Sequence, residues 1–254
     1  DGRAMLVFNG EIYNYRELRE ELRGSGAEFH TDGDSEVILA AWQRWGPDCL
    51  PRLHGMFAFA IYDLGARTLF LARDRLGVKP LFYAPLSDGS LAFASELKGL
   101  IAHPLLRRDI DPLAIEDYLA WGYVPDHRSI LAGVHKLPAG NSLLLRHDAP
   151  LPAPRQWWDV SFAERHKGRA ADLEAELLHL LRQAVTSRMV ADVPLGAFLS
   201  GGVDSSAVVA LMAEASRNPV NTCSIGFDVA ALDETGYAAD VAKRFGTNHR
   251  ARQV

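Results

Sequence analysis

Residues 195–206 are Leu-Gly-Ala-Phe-Leu-Ser-Gly-Gly-Val-Asp-Ser-Ser, an apolar run that ends in a glycine turn. The apolar run predicts a strand at 195–199, and the residues after the turn predict a helix from about 205 to 216. A second strand is expected at 220–226, a further helix at 235–245, and another strand from about residue 248. A strand, a helix and a second strand in this order form a βαβ unit, which indicates a parallel sheet.

The turn between this strand and helix has the composition of an anion-binding loop. Gly201 and Gly202 let backbone N–H groups close around an anion, and the helix N-terminus adds partial positive charge. The hydroxyls of Ser200, Ser205 and Ser206 can donate further hydrogen bonds. The loop is therefore predicted to bind a polyphosphate, although the same residues also suit a tight strand-to-helix turn with serine N-caps.

Asp204 is the candidate ligand for a Mg²⁺ ion that bridges the phosphates, because Mg²⁺ is usually bound through few carboxylates together with phosphate oxygens. No Gly-Lys-Ser or Gly-Lys-Thr follows the glycines, so the loop differs from the P-loop of kinases and GTPases. It resembles the signature of the N-type ATP pyrophosphatases, which cleave ATP between the α and β phosphates and adenylate a carboxyl or carbonyl oxygen. The resemblance implies ATP as the nucleotide.

The composition limits the other classes of function. The chain has 254 residues, is 48% hydrophobic and carries a formal net charge of -5. Its apolar runs are shorter than the roughly 20 residues of a membrane helix, and no signal peptide is visible, so we expect a cytoplasmic protein without a membrane partner. Lys and Arg are not clustered, which argues against nucleic acid as a partner. Cys49 and Cys223 have no metal-binding spacing, so a structural zinc site is not expected and both are expected to be buried.

Residues 1–160 predict an α+β domain. A strand at 4–8 precedes a helix with Ile12, Tyr15, Leu18 and Leu22 on one face, and a second helix is expected at 35–45. Short apolar runs at 56–62, 68–72, 81–84 and 91–94 predict an antiparallel meander, followed by a helix at 112–121 and a strand at 141–146. A helix at 171–189 begins the second domain, 161–254, which we expect to be an incomplete α/β domain, because two or three parallel strands cannot cover both faces of a sheet.

Residues 8–14 are Phe-Asn-Gly-Glu-Ile-Tyr-Asn and resemble the glutamine-site motif of class II, N-terminal-nucleophile amidotransferases. Carboxamide hydrolysis through a thioester develops negative charge on oxygen, which the Asn9 side-chain amide and the Gly10 N–H could stabilise as an oxyanion hole. The carboxylates of Glu11 and Asp34 would hold the α-amino group of glutamine. Taken alone, Asn9-Gly10 fits a hairpin turn equally well, and Asp34 or Ser35 fits a helix N-cap.

Further segments match the asparagine synthetase family in the same order along the chain. They are Asp-Ser-Glu-Val-Ile-Leu (34–39), Gly-Met-Phe-Ala-Phe-Ala (55–60), Arg-Asp-Arg-Leu-Gly-Val-Lys-Pro-Leu (73–81), Ala-Ser-Glu-Leu-Lys (94–98) and Leu-Pro-Ala-Gly (137–140). The chain therefore resembles the glutamine-hydrolysing asparagine synthetases over both domains. We assign no catalytic role to Asp74, Lys79 or Glu96. The resemblance also implies that the backbones of Phe198 and Ile225 contact the adenine ring of ATP.

The sequence departs from the family pattern in the glutamine site. The family's nucleophile is an N-terminal cysteine whose own α-amino group acts as base, whereas residue 1 here is Asp, and the arginine that binds the glutamine carboxylate is also missing. Cys49 has no free amine beside it. We therefore expect that the chain is a fragment, that strands carrying the nucleophile precede Asp1, and that residues 1–254 alone do not hydrolyse glutamine.

For the whole protein, the resemblance implies ATP-dependent amidation of aspartate through a β-aspartyl adenylate. Glutamine, aspartate and Mg-ATP are then the small-molecule ligands, and a homodimer would be common for the family. The acceptor site is expected beyond Val254, so a sugar acid, a peptide or another carboxylate stays open as the acceptor. The intact Asn9, Gly10, Glu11 and Asp34 argue against a β-lactam synthetase, and the intact glycine loop argues against a non-catalytic relative.

Overall fold

The computed structural model describes residues 2–163, 166–191, 193–229 and 233–254. The chain forms two compact units, Asp1–Ala163 and Glu164–Val254. No helix in these described ranges is long and apolar enough to cross a membrane.

The first unit contains short strands and helices. The strands are β1 (Ala4–Ile12), β2 (Gly55–Asp63), β3 (Thr68–Arg73), β4 (Phe82–Pro85), β5 (Leu91–Ala94), β6 (His135–Lys136), β7 (Asn141–Arg146) and β8 (Arg155–Gln156). The helices are α1 (Tyr15–Gly24), α2 (Asp34–Trp45), α3 (Leu97–Ile101) and α4 (Pro112–Trp121), with a 3-10 helix at Gly46–Arg52.

The strands of the first unit form two antiparallel sheets, a five-stranded sheet in the order β1-β2-β3-β7-β8 and a three-stranded sheet in the order β5-β4-β6. The predicted class, α+β with layered antiparallel sheets, is confirmed. The single meander expected over 56–94 is wrong, because β2 and β3 belong to one sheet and β4 and β5 to the other.

A turn at Asp74 explains this division of the strands. The Asp74 carboxylate is buried and accepts hydrogen bonds from the backbone N–H groups of Phe57, Leu76, Val78 and Lys79, at 2.9–3.1 Å. These four charge-assisted bonds compensate for the burial of the carboxylate. They bend the chain directly after β3, so the next strand starts a second sheet.

Alternation along β2 separates two apolar layers. Phe57, Phe59 and Ile61 pack with α1 and α2 on one face of the five-stranded sheet. Ala58 and Ala60 lie on the other face, in a layer that includes residues of β3, β4 and β7. Successive strand residues point to opposite faces, so the small alanines mark where the two sheets pack together. The first unit is thus layered as helices, sheet, sheet, and the short helix α3, which packs beyond the three-stranded sheet.

The first strand is longer than the sequence predicted. Ile12, expected on the face of the first helix, is the last residue of β1, and α1 begins at Tyr15. The reason is tertiary pairing: β1 is in register with β2 from Ala4 opposite Asp63 to Ile12 opposite Gly55. The turn-forming Asn9-Gly10 pair therefore lies inside a strand rather than at its end.

The second unit contains one parallel sheet in the order β11-β10-β9. Its elements are α5 (Ala170–Ser187), β9 (Gly196–Phe198), α6 (Val203–Ala215), β10 (Asn221–Gly226), α7 (Thr235–Phe245) and β11 (Asn248–Gln253). The βαβ arrangement predicted from the glycine turn is confirmed. Leu199 and Val209 pack with Ala238 and Ala242 of α7, so α6 and α7 cover the same face of the sheet.

Alternation along β10 decides which of its side chains are buried. Thr222 and Ser224 face the two helices and are buried. Cys223 faces the opposite side and is exposed, so the prediction that both cysteines are buried is wrong for this one and confirmed for Cys49. The sequence could not show that Cys223 is exposed, because the face of β10 that the helices cover depends on how the whole sheet is assembled.

Candidate functional sites

The residues predicted to bind glutamine lie near the end of β1 and at the start of α2. Asn9 and Glu11 are two positions apart on this strand, so their side chains point to the same face of the sheet, the face that carries Ala58 and Ala60 of β2. Asp34, the first residue of α2, accepts a hydrogen bond from the Ile12 backbone N–H at 2.9 Å. The bond fixes the start of α2 against the end of β1.

Gly10 lies between Asn9 and Glu11 on β1 and packs against β2. A Cβ at this position would overlap the Met56 carbonyl oxygen and approach the Phe57 Cα to 2.7 Å. Any larger residue would therefore push the two strands apart. The structural reason for glycine here is this close approach of β1 and β2.

Asp34 does not act as the helix N-cap, which was one of the roles expected for it. Gly33 is the N-cap residue, and the Asp34 carboxylate bonds to Ile12 instead. The loop before α2 is held from both sides. Arg19 of α1, itself buried, donates to the Gly33 carbonyl at 2.9 Å, and the Glu36 carboxylate accepts from the backbone N–H groups of residues 30 and 31.

Glu36 has the clearest acidic pKa shift in this region. Partial burial raises the pKa of its carboxyl, but hydrogen bonds from His30 and from the N–H and hydroxyl of Thr31 outweigh it and lower the pKa to about 2. Glu36 is therefore ionised at neutral pH and clamps the loop that precedes Asp34.

The Asn9 side chain has a partner that the sequence analysis did not assign. Its Nδ2 donates a hydrogen bond to Ser95 Oγ at 3.0 Å. Ser95 follows β5 directly, so this bond connects β1 of the five-stranded sheet with the end of a strand of the other sheet. The two residues are 86 positions apart, and only the layering of the sheets brings them together.

Cys49 is not suited to act as a nucleophile in the first unit. Cys49 lies in the 3-10 helix, and burial raises the pKa of its thiol to about 12, so the thiolate is not formed at neutral pH. The expectation that strands carrying the nucleophile precede Asp1 concerns a position outside the described residues.

The glycine loop of the second unit lies between β9 and α6, at the carboxyl end of the sheet. Its hydroxyls bond within the loop: Ser200 Oγ and Ser205 Oγ are 3.1 Å apart, and Gly202 N–H donates to Ser200 Oγ at 3.3 Å. Ser206 Oγ is buried and has no hydrogen-bond partner among the described residues. Ligands of α/β proteins bind outside the carboxyl ends of the strands, which is where this loop lies.

Gly201 packs against α7. Its φ is +83°, in the left-handed region that favours glycine. A Cβ here would lie 2.5 Å from Tyr237 Cβ and 2.7 Å from Ala238 N. Gly202, in contrast, has φ −66°, and its Cβ would meet only Ser200 Oγ at 3.4 Å. The fold therefore requires glycine at position 201, whatever the loop binds.

A cavity of about 310 Å³ adjoins the loop. The structure brings Phe198 and Ile225, which the resemblance associated with adenine, to its wall together with Ser200 and Ser205. Both apolar side chains are largely exposed, and they lie on the sheet face opposite the two helices. An apolar wall beside a polar turn suits a ligand with a flat apolar end and a polyanionic end.

Asp204 lies in the first turn of α6 and is exposed. In the described part of the chain, no group of three or more His, Cys, Asp or Glu side chains is placed to hold a metal ion. A single carboxylate fits Mg²⁺ only where phosphate oxygens and water complete the coordination.

The strand end before the loop is held by a polar network that the sequence analysis missed. The Ser224 hydroxyl of β10 donates to the Leu199 carbonyl oxygen, and His249 of β11 lies within 3.5 Å of the same hydroxyl. Thr222 contacts the other ring nitrogen of His249 at 3.0 Å. Hydrogen-bonding side chains in strands resemble ordinary strand residues, so no local signal identifies them.

Comparison with protein families defines the class. Residues 1–158 match the glutamine amidotransferase domain, and residues 176–254 match asparagine synthase. The glutamine amidotransferase match covers the larger part of the chain, so the chain is of the glutamine amidotransferase class. An asparagine synthase segment follows this domain.

Relatives extend this assignment to both units. A putative glutamine-hydrolysing asparagine synthetase of Mycobacterium tuberculosis is 42% identical over 259 residues, covering 99% of this chain and 39% of the relative. A second putative enzyme of that name, from Methanocaldococcus jannaschii, is 40% identical over 249 residues and covers 96% and 47%, respectively. The solved glutamine phosphoribosylpyrophosphate amidotransferase of Bacillus subtilis aligns over 98% of this chain and 45% of its own, with 16% identity and a TM-score of 0.40.

The chain belongs to the glutamine-hydrolysing asparagine synthetase family. It spans less than half the length of the two curated relatives described above.

Proposed function

We propose that the full-length protein converts aspartate, glutamine, ATP and water into asparagine, glutamate, AMP and pyrophosphate. The observation that carries the proposal is that one chain holds two groups of residues, one suited to glutamine and the other to a nucleotide. One is the cluster of Asn9, Glu11 and Asp34 at the end of β1, and the other is the glycine loop beside an apolar-walled cavity.

The glutamine site would use three kinds of group. The Asn9 amide and the Gly10 N–H stabilise the oxyanion that forms when a thiolate attacks the glutamine carboxamide. Glu11 and Asp34 place negative charge where the α-ammonium group of glutamine binds. The thiol nucleophile is assigned to the full-length protein and not to Cys49, which is buried.

The nucleotide site would bind ATP with its adenine against Phe198 and Ile225. The phosphates then lie on the loop, with hydrogen bonds from the backbone and hydroxyls of Ser200, Ser205 and Ser206. The aspartate β-carboxylate forms a bond to the α-phosphorus while the bond between this phosphorus and the bridging oxygen of the β-phosphate breaks. Pyrophosphate leaves, and ammonia later displaces AMP from the β-aspartyl adenylate.

Mg²⁺ would reach this site with the nucleotide, held by Asp204. The Ser206 hydroxyl, which has no hydrogen-bond partner among the described residues, would be free to donate to a phosphate oxygen of the nucleotide. When bound, the ion supplies charge neutralisation on the phosphates.

The test uses the full-length protein with Mg-ATP, aspartate and glutamine, and identifies the products by mass spectrometry. We expect asparagine, AMP and pyrophosphate in equal amounts. Asp204→Asn should abolish AMP formation from both nitrogen sources, while Asn9→Ala should lower only the glutamine-dependent reaction, by roughly 10²- to 10³-fold, and leave synthesis from ammonia. ATP that is consumed only when another carboxylate is supplied would disprove aspartate as the acceptor.

A further inference from the structure

The Asn9 side chain needs a partner to act as an oxyanion donor. The torsion about the last bond of an asparagine side chain is broad, so an unsupported amide samples many orientations. An oxyanion hole stabilises the developing charge because its donors are already oriented. A group that fixes the Asn9 amide plane therefore contributes to the reaction without touching the substrate.

We propose that Ser95 is this positioning residue, a role that rests on the proposed glutaminase function. Ser95 Oγ accepts one hydrogen of Asn9 Nδ2 at 3.0 Å. The amide nitrogen carries two hydrogens, so the second is left for the oxyanion. The bond turns a freely rotating donor into a fixed one.

The two elements on either side of Ser95 support this role. It lies between β5, which pairs with β4 from Leu91 opposite Pro85 to Ala94 opposite Phe82, and α3, which is anchored by the buried Leu100. Both neighbours are set in the apolar layer of the three-stranded sheet. The position of the hydroxyl is thus determined by elements other than β1. Its hydrogen bond to the Asn9 amide therefore depends on the distance between the two sheets.

The measurement compares Ser95→Ala with wild type in the full-length protein, by glutaminase kinetics. Complete loss of an oxyanion donor costs roughly 10²- to 10³-fold in kcat, and loss of its orientation alone is expected to cost about tenfold. The glutamine KM should stay within about twofold, because Ser95 bonds to the proposed oxyanion donor, whereas binding of the substrate's α-amino group is assigned to Glu11 and Asp34. Synthesis from ammonia should be unchanged.

Three further variants distinguish positioning from a structural effect. Ser95→Thr keeps the hydroxyl and should restore most of kcat. Ser90→Ala removes a hydroxyl from the same hairpin, one that bonds to Asp88 at 2.6 Å, and should behave as wild type. In an Asn9→Ala background, Ser95→Ala should cause no further loss, since the residue acts through Asn9.

The proposal is overturned if Ser95→Ala keeps wild-type kcat, if it raises KM at constant kcat, or if its loss is fully retained in the Asn9→Ala background. A loss of the ammonia-dependent reaction in Ser95→Ala would also overturn it, in favour of a general structural role. A wild-type protein without any glutaminase activity is a different result, because it contradicts the proposed function itself.

Discussion

Replacing Gly201 by alanine tests whether the glycine loop is shaped by α7. The residue has φ +83°, and an added Cβ would lie 2.5 Å from Tyr237 Cβ and 2.7 Å from Ala238 N. Both atoms belong to the first turn of a helix, so neither can move aside as a flexible side-chain end would. We expect the second unit to be strongly destabilised.

The magnitude follows from two contributions. A side chain in the left-handed region costs about 1–2 kcal/mol, and overpacking costs about 1–3 kcal/mol, for a total of about 2–5 kcal/mol. Gly202→Ala is the matched control, since its φ of −66° suits any residue and its nearest neighbour would be Ser200 Oγ at 3.4 Å. Its effect on the free energy of unfolding should stay below about 1 kcal/mol.

Hydrogen exchange followed by mass spectrometry provides a local measurement. Each 1.4 kcal/mol is about tenfold in an opening equilibrium, so β10 amides of Gly201→Ala should exchange roughly 30- to 4,000-fold faster than in wild type. Amides of β2, in the other unit, should not change. Equal exchange rates in the two alanine variants would refute the argument from φ and from the contact with α7.

Three other perturbations give clear expectations. Asp74→Ala leaves four backbone N–H groups without their buried acceptor and should destabilise the first unit by about 3–5 kcal/mol in urea unfolding, whereas Asp88→Ala, at an exposed turn, should have little effect. Glu36 has its pKa lowered from 4.5 to about 2, so its stabilisation is complete above pH 4.5 and is lost as the pH falls toward 2. Glu36→Gln should therefore lower stability at neutral pH by about 1 kcal/mol after solvent screening and flatten the pH dependence, and an unchanged slope would contradict this. A thiol reagent should modify one cysteine per native chain, Cys223, and both after denaturation; two fast equivalents in the native state would show that Cys49 is accessible.

Local patterns in the sequence predicted the class of fold and most elements. The apolar run before Ser200 and the glycines after it were enough to predict the βαβ arrangement, because turn chemistry and strand composition act over a few residues. The helix at Thr235–Phe245 has the predicted bounds. The same local rules placed Ile12 on a helix, since they could not register that β2 pairs with β1 as far as Gly55.

In the candidate sites, too, local sequence predicted some residues, and others are defined only by packing. The sequence indicated Asn9, Glu11 and Asp34 because their residue types suit a substrate with an amide and an ammonium group. It assigned no role to Ser95, which stands in a segment that matches the family, and did not indicate Ser224; their partners lie 86 and 25 positions away. Such supporting residues are defined by the packing of sheets, and side-chain chemistry alone does not distinguish them from other serines.

The turn at Asp74 has a consequence for how the first unit unfolds. One carboxylate holds the N–H of Phe57 in the five-stranded sheet and those of Leu76, Val78 and Lys79 in the segment that leads to the three-stranded sheet. The Asp74 backbone carbonyl also accepts from Gly140 N–H, just before β7. Separation of the sheets would break these hydrogen bonds and expose the buried side chain together with its donors in a single event. We therefore expect the two sheets to melt as one cooperative block, without an intermediate in which either persists alone.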